Sequence, residues 1–198
     1  MTQSNTGYAV LLYDALRADP FYRTLEAAYP DPEGANDAML RYYDLSIAEA
    51  ARWGRLGEVA EGYGLSIWSV PLTAEQAAKK SAAKAEALRT AMGPECAATF
   101  ARIEAAMAVY EDALGLHNHW YLSILAVAPD KQGRGLGGAL LAPVLTEADA
   151  LGVASYLTTF TPRNISFYRK MGYDSAGSFP EPLTGSEFHV LVRPPGGT

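Results

Sequence analysis

The stretch Ala128-Pro-Asp-Lys-Gln-Gly-Arg-Gly-Leu-Gly-Gly138 constrains this chain more than any other. It follows the apolar run Trp120 to Val127, which reads as a strand, and precedes Ala139 to Leu151, which reads as a helix. Four glycines between a strand and a helix leave bare backbone N–H groups beside the positive end of the helix dipole. The expectation is an anion cradle for a phosphorylated cofactor.

Three phosphate cradles compete for the string. A nucleotide P-loop closes on Lys-Ser or Lys-Thr, whereas Gly138 is followed by Ala139 and Leu140, so that reading fails. The Rossmann spacing is met literally by Gly133-x-Gly135-x-x-Gly138. Yet Pro129 to Gln132 intervene where a dinucleotide site wants a tight turn, and Thr158-Thr-Phe-Thr-Pro162 lacks the acidic residue expected about twenty positions on. The third reading rests on Gln132-x-x-Gly135-x-Gly137 after a strand ending in Val127-Ala-Pro129. This resembles the pyrophosphate loop of the GNAT superfamily of N-acetyltransferases. The resemblance continues through Thr161-Pro-Arg-Asn164, Phe167-Tyr168 and Met171-Gly-Tyr173, so it spans roughly residues 119 to 175. Within the family this segment is most similar to the branch containing puromycin N-acetyltransferase.

The resemblance implies an α/β fold: a mixed, partly splayed central sheet with helices on both faces. It implies acetyl-CoA as acyl donor, held by the amides of Gly133, Arg134, Gly135, Leu136, Gly137 and Gly138, with Gln132 and Arg134 at the rim. Arg134 is either a phosphate contact or a solvated loop charge. Leu125, Ala126 and Val127 would offer backbone to the pantetheine arm, with the Val127 N–H aimed at the thioester oxygen. Asn164 would orient the cofactor and Tyr168, four residues on and on the same helix face, would protonate the departing thiolate. Against this stands the plainer reading, in which Asn164 caps a helix and Tyr168 packs in the core.

An attacking amine begins as an ammonium with pKa near 10, so a base or a water chain must take a proton. The central strand has no acidic residue; His117, His119, Glu111, Asp112 and Glu187 are the candidates, with His119 first because imidazole titrates near neutrality. His117-x-His119 lacks a third ligand at a recognisable interval, so no metal is expected. The implied activity is acetyl transfer to a primary amine of a small molecule by direct attack in a ternary complex. A non-catalytic acyl-CoA-binding module and a protein or peptide N-acetyltransferase remain the alternatives.

At 198 residues and 49% hydrophobic, the chain suits one domain: residues 1–118 form the acceptor side, 119–175 the acetyl-CoA core and 176–198 the last strands and tail. No run approaches the roughly 20 apolar residues of a membrane span, and Met1 to Gly7 has no signal-peptide pattern, so the expected location is cytoplasmic. Cys96 is the single cysteine and reads as a buried thiol. A net charge of −6 argues against a nucleic-acid partner and fits a cationic small molecule, or solubility alone. A homodimer stays open.

In chain order, Tyr8 to Tyr13 reads as a first strand, and Asp19-Pro20 opens a helix. A helix from about Asn36 to Trp53 follows, then a hairpin of Gly57 to Ala60 and Leu65 to Val70. Thr73 to Leu114 is helical with a break at Gly93-Pro94, and its second half carries the stripe Phe100, Ile103, Met107, Tyr110 and Leu114. Trp120, Leu122, Ile124 and Ala126 share one expected strand face. Tyr156 to Phe160 returns parallel to the central strand, and Thr161 is the expected cap of a short helix carrying Tyr168. Tyr173 to Phe179 and Phe188 to Arg193 are the last strands, and Pro194 to Thr198 is expected to be disordered.

Overall fold

The computed structural model describes residues 5–59 and 61–196. Its N-terminal element is α1, Asn5–Leu16, a helix where the apolar run predicted a strand. A six-residue apolar window carries no period of its own. Tertiary packing decides it: Ala9 and Leu12, one turn apart, are both buried, and α1 lies against the next long helix and the sheet. Asp19 caps α2, Pro20–Ala27, accepting from the Phe21 N–H at 3.0 Å, with Pro20 at the first helical position as expected. Helix α3, Ala35–Trp53, buries Met39, Tyr42, Tyr43, Ile47 and Ala50, and runs directly into the hairpin.

That hairpin is β1, Gly54–Glu58, against β2, Gly64–Ser69, so the first strand starts three residues earlier than predicted. Ala60 lies outside the described residues. Helix α4, Ala74–Ala113, starts with a reciprocal capping box between Thr73 and Gln76. It breaks where the sequence indicates: Gly93 takes φ 76°, ψ 164°, and Pro94 opens the second half. There Phe100, Ile103 and Met107 are buried, with Tyr110 and Leu114 packed against the same core.

The central strand β3, Trp120–Val127, then leads through the glycine loop to α5, Gly137–Ala150, and back to β4, Ser155–Thr159. Helix α6, Ile165–Lys170, follows a 3₁₀ turn at Pro162–Asn164, and β5, Asp174–Glu181, and β6, Ser186–Arg193, close the sheet in the order β1-β2-β3-β4-β6-β5. The β3–β4 pair is parallel and all others are antiparallel. Helices α1 to α4 cover one face; α5 and α6 cover the other, over Trp68, Leu122, Leu157 and Leu191. This is the three-layer mixed α/β architecture expected.

Three expectations need correction. Strand β3 does not keep one register: Ile67 pairs with Ile124 but Trp68 pairs with Leu122, so Ser123 is an extra residue, a β-bulge. One added residue flips the faces, placing Trp120 and Leu122 toward α5 and Ile124 and Ala126 toward the other layer. Thr161 does not cap its helix through its side chain; its hydroxyl donates to Asp19 Oδ2 at 3.0 Å, tying the turn after β4 to the start of α2. The tail is held as far as it is described: the Gly196 N–H donates to Asp149 Oδ1 at 2.7 Å, while Arg193 grips the same carboxylate with two nitrogens at 2.6 and 2.8 Å. Gly197 and Thr198 lie outside the described residues.

Candidate active site

The parallel β3–β4 ladder contains only three pairs, Trp120 with Ser155, Tyr121 with Tyr156 and Leu122 with Leu157. It ends where the bulge at Ser123 begins, and beyond it the two strands separate. On its other side β3 stays paired with β2 to the end, and the Ala128 N–H still donates to Tyr63 O at 2.8 Å. Polar groups of successive strand residues alternate sides. Counting back from Ala128 by this alternation, the N–H and C=O groups of Val127 and Leu125 point away from β2, toward the opened gap. The Val127 carbonyl is met there by Gln132 Nε2 at 3.0 Å.

A cavity of about 460 Å³ occupies the gap. Its lining draws Tyr42 and Phe100 from one helical layer, Leu125 from the central strand, and Asn164 and Tyr168 from the other layer. Both sides of a sheet can meet in one cavity only because the sheet is open there. Tyr168 is buried between Phe167 and Tyr173, with ring centroids 5.1 and 6.0 Å away. Burial foremost, then the neighbouring Tyr173 and Asp19, push its phenol well above the ordinary value near 10. At neutral pH the hydroxyl therefore keeps its proton, which suits a donor and not a base.

The glycine loop lies at the mouth of the same gap. Gly133 and Gly135 hold φ of 76° and 75°, the left-handed region glycine adopts freely, with open space where a side chain would project. Gly137 is needed for a different reason: a Cβ there would stand 2.9 Å from Phe167 Cζ and 3.7 Å from Leu125 Cδ2. The loop thus packs against both the central strand and α6. Among the described residues, the N–H groups of Gly133, Arg134, Gly135 and Leu136 make no hydrogen bond within the chain, and α5 has no side-chain cap and no acidic residue in its first turn. These free donors at a helix N-terminus suit an anionic diphosphate. Arg134, exposed, uses one nitrogen on Asp130 O at 3.1 Å.

Of the residues singled out in the sequence, Leu125, Asn164 and Tyr168 meet at the cavity, while Ala126 turns into the core beside it. Val127 and Gln132 to Gly138 are not among the lining residues; the loop meets the strand edge through Gln132 at the Val127 carbonyl and through Gly137 against Leu125. His119 is not among the lining residues. Its ring lies edge-on to Tyr156, 6.5 Å away, and Tyr156 in turn stacks on the lining residue Tyr121 at 4.7 Å, so two aromatic rings intervene. Burial and the neighbouring His117 lower its pKa, and its Nδ1 is buried without a partner. Glu111 is likewise off the cavity, accepting from the Tyr156 hydroxyl at 3.3 Å, and burial drives its pKa up to about 7. His117, Asp112 and Glu187 are exposed and line nothing.

Three carboxylates do line the cavity, Asp19, Glu49 and Glu104, together with Lys80 and Lys84; Asp19 is already engaged by the Phe21 N–H and the Thr161 hydroxyl, and Glu49 by the two lysines. Burial raises the Glu104 pKa, opposed by Lys84. The sequence contained a usable signal. Glu104 follows Phe100 by four residues and precedes Met107 by three, so it is a charge set into an apolar helical stripe. Among the described residues no group of three or more His, Cys, Asp or Glu side chains converges as a metal site would require, and no helix is long and apolar enough to cross a membrane.

A parallel strand pair splayed at a bulge, with a glycine loop beside it, is thus set in a mixed α/β fold. Residues 96–175 match the family model described as an acetyltransferase (GNAT) domain. A structure from Corynebacterium glutamicum, described as histone acetyltransferase HPA2 and related acetyltransferase, aligns with a TM-score of 0.67 at 20% identity, over 99% of this chain and 94% of that one. The polyamine N-acetyltransferase of Drosophila melanogaster, described as forming N-acetylagmatine, aligns with a TM-score of 0.58 at 17% identity, over 97% of each chain. An agmatine N-acetyltransferase mutant in its apo form gives 0.60 at 15% identity, over 96% and 94%. At these identities the likeness is one of fold. Among curated proteins, a probable serine/threonine-protein kinase of Dictyostelium discoideum is 30% identical over 80 residues, 39% of this chain. The chain spans only 11% of that relative's length.

Proposed function

We propose that the protein is an acetyl-CoA-dependent N-acetyltransferase acting on a primary amine of a small molecule, by direct attack within a ternary complex. The observation that carries this reading is the gap between β3 and β4, where the strand edge at Leu125 and Val127 is released beside a cavity lined by Leu125, Asn164 and the protonated Tyr168, with the glycine loop packed against Leu125. The pantetheine arm pairs with the open strand edge and its diphosphate meets the amides of Gly133 to Gly138. The amine nitrogen attacks the thioester carbon, whose oxygen is held by an edge N–H, that of Val127. The new C–N bond forms as the C–S bond breaks, and Tyr168 gives its proton to the thiolate. A free thiol of this type has pKa near 8.5, so protonation eases its departure.

The amine must also lose a proton. Glu104, on the cavity wall and with its pKa raised by burial, is better placed to take it than His119. A cavity of about 460 Å³ is of the size that holds a small molecule, which supports a small acceptor over a polypeptide.

Tyr168→Phe tests the assignment. Without its proton donor the variant should lose about 10²-fold or more in kcat while its affinity for acetyl-CoA holds. The readout is free thiol released in the presence of a panel of amines. Unchanged turnover with every accepted amine removes Tyr168 from the chemistry, and no amine-dependent thiol release from the native chain removes the transferase reading.

A further inference from the structure

The cavity wall contributed by α3 and α4 carries a charge arrangement that acyl transfer does not itself require. Lys80 and Lys84, one turn apart on α4, both approach the same oxygen of Glu49 on α3, at 3.4 and 3.3 Å. The three side chains are largely withdrawn from solvent, at 18, 34 and 16% exposure. Two cations on one carboxylate leave a positive surplus where water screens it poorly, offset only in part by Glu104, whose carboxyl burial holds toward the neutral form. Lys84 is further drawn over the ring of Phe100, 5.3 Å from its centroid. A single lysine would suffice to tie α3 to α4, so the second needs another explanation. Glu104 lines the cavity close enough for Lys84 and Lys80 to act on its charge, yet among the described residues it makes no direct ion pair or hydrogen bond. The break at Gly93 brings these two sets together, because it folds the half of α4 bearing Lys80 and Lys84 against the half bearing Phe100 and Glu104.

We propose that the acceptor is a zwitterion, a small molecule carrying both the primary amine and a carboxylate, with the amine met by Glu104 and the carboxylate by Lys80 and Lys84. This rests on the transferase reading above and names its substrate class. A polycation would place positive charge beside the two lysines. A simple amine would satisfy Glu104 and leave the lysine surplus unanswered. An amine with a carboxylate answers both, and a charge-assisted contact of this kind contributes enough to separate paired substrates by about tenfold or more.

The experiment compares acceptors that differ only by the carboxylate: arginine against agmatine, lysine against cadaverine, and phenylalanine against phenethylamine. Turnover is read as free thiol, and affinity by calorimetry with the CoA-loaded full-length chain. The expected result is a kcat/KM at least about tenfold higher for the carboxylated member of at least one pair, expressed mainly in KM. In Lys80→Met and Lys84→Met that ratio should fall toward one, while Lys80→Arg should retain it. Lys79→Met, an exposed neighbour paired with Glu75, should leave the ratio as it is. Thermal melts exclude unfolding as the cause. Equal or better use of agmatine, cadaverine and phenethylamine overturns the proposal, as does a preference that survives both methionine variants. If no amine turns over but the calorimetric preference for the carboxylated members stands, the transferase reading fails and the zwitterion site holds. No preference in either readout sinks the zwitterion site, whatever the chemistry.

Discussion

Gly135→Ala separates a loop that binds an anion from one that merely connects β3 to α5. Gly135 holds φ 75°, and a Cβ added there meets nothing within 4 Å, so the substitution introduces backbone strain and no clash. For a residue with a Cβ this conformation costs roughly 1–2 kcal/mol. Where that cost appears depends on whether the loop is held. Residues 131–135 are exposed, and among the described residues the amides of Gly133 to Leu136 have no partner, so the free loop can relax to negative φ at the expense of little beyond the long 3.4 Å bond from the Gly138 N–H to Gly135 O. Relaxation turns the peptide N–H groups away from the cradle, and binding the diphosphate must restore the strained form. The penalty therefore falls on cofactor affinity, by about 5–30-fold, with little change in the thermal midpoint. Gly135→Asn, a residue that tolerates the left-handed region, should lose less. Calorimetry with acetyl-CoA and a thermal melt on each variant distinguish the outcomes. Native affinity in Gly135→Ala refutes the cradle, and a stability loss without an affinity loss would mean the loop is held before the cofactor arrives.

Further expectations concern the open strand edge and two titrating carboxyls. By hydrogen exchange, the Leu125 and Val127 amides should be poorly protected in the free protein, unlike that of Leu122 within the ladder, and become protected when acetyl-CoA binds. Glu111, raised from 4.5 to about 7 by burial, stabilises the fold fully below its unfolded value, and that contribution is lost as pH rises through the folded one. Glu111→Gln should therefore flatten the decline of the thermal midpoint between those two values; an unaltered slope refutes the assignment. Asp149 has the opposite sign, because the Arg193 hydrogen bonds hold its carboxyl below the usual range. Its stabilisation is present above the unfolded value near 3.9 and disappears as pH falls through the folded value. Asp149→Asn should weaken the native chain at neutral pH and reduce its acid dependence in urea titrations between about pH 5 and pH 2.

The parts of the site that follow one after another were legible in the sequence. Strand, glycine loop, helix and the Asn164–Tyr168 segment lie in chain order, and each is shaped by local chemistry: glycine at positive φ, proline at helix starts, apolar alternation. The α4 break was legible for the same reason, since Gly93-Pro94 cannot continue a helix. Elements set by distant contacts were not. Tyr8 to Tyr13 is a helix because Ala9 and Leu12 find a core supplied by later residues. The bulge at Ser123 is not legible in the run Trp120 to Val127, because both faces of the strand are mostly apolar and one serine among them disturbs no clear alternation. The charged wall of the cavity joins Glu49 to residues about thirty and more than fifty positions away, so no local pattern could assemble it. The charge at Glu104 was visible, but its meaning depended on knowing that the apolar stripe around it faces a cavity.

The bulge links what the strand does for the fold to what it does for the chemistry. Up to Leu122, β3 has ladder partners on both sides and packs Trp120 and Leu122 against the α5 layer. An undisturbed strand would continue the same pairing to Val127 and close the gap. The extra residue turns Ile124 and Ala126 into the opposite layer, so the strand stays buried while its β4-facing edge is released. Released N–H and C=O groups are costly only where neither water nor a partner reaches them. Here Gln132 satisfies the Val127 carbonyl, and the cavity beside Leu125 gives access to solvent or ligand. The hydrogen-bonding capacity forgone in the sheet thereby stays open toward the cavity that Tyr168 also lines, and under the proposed function a pantetheine arm takes it up.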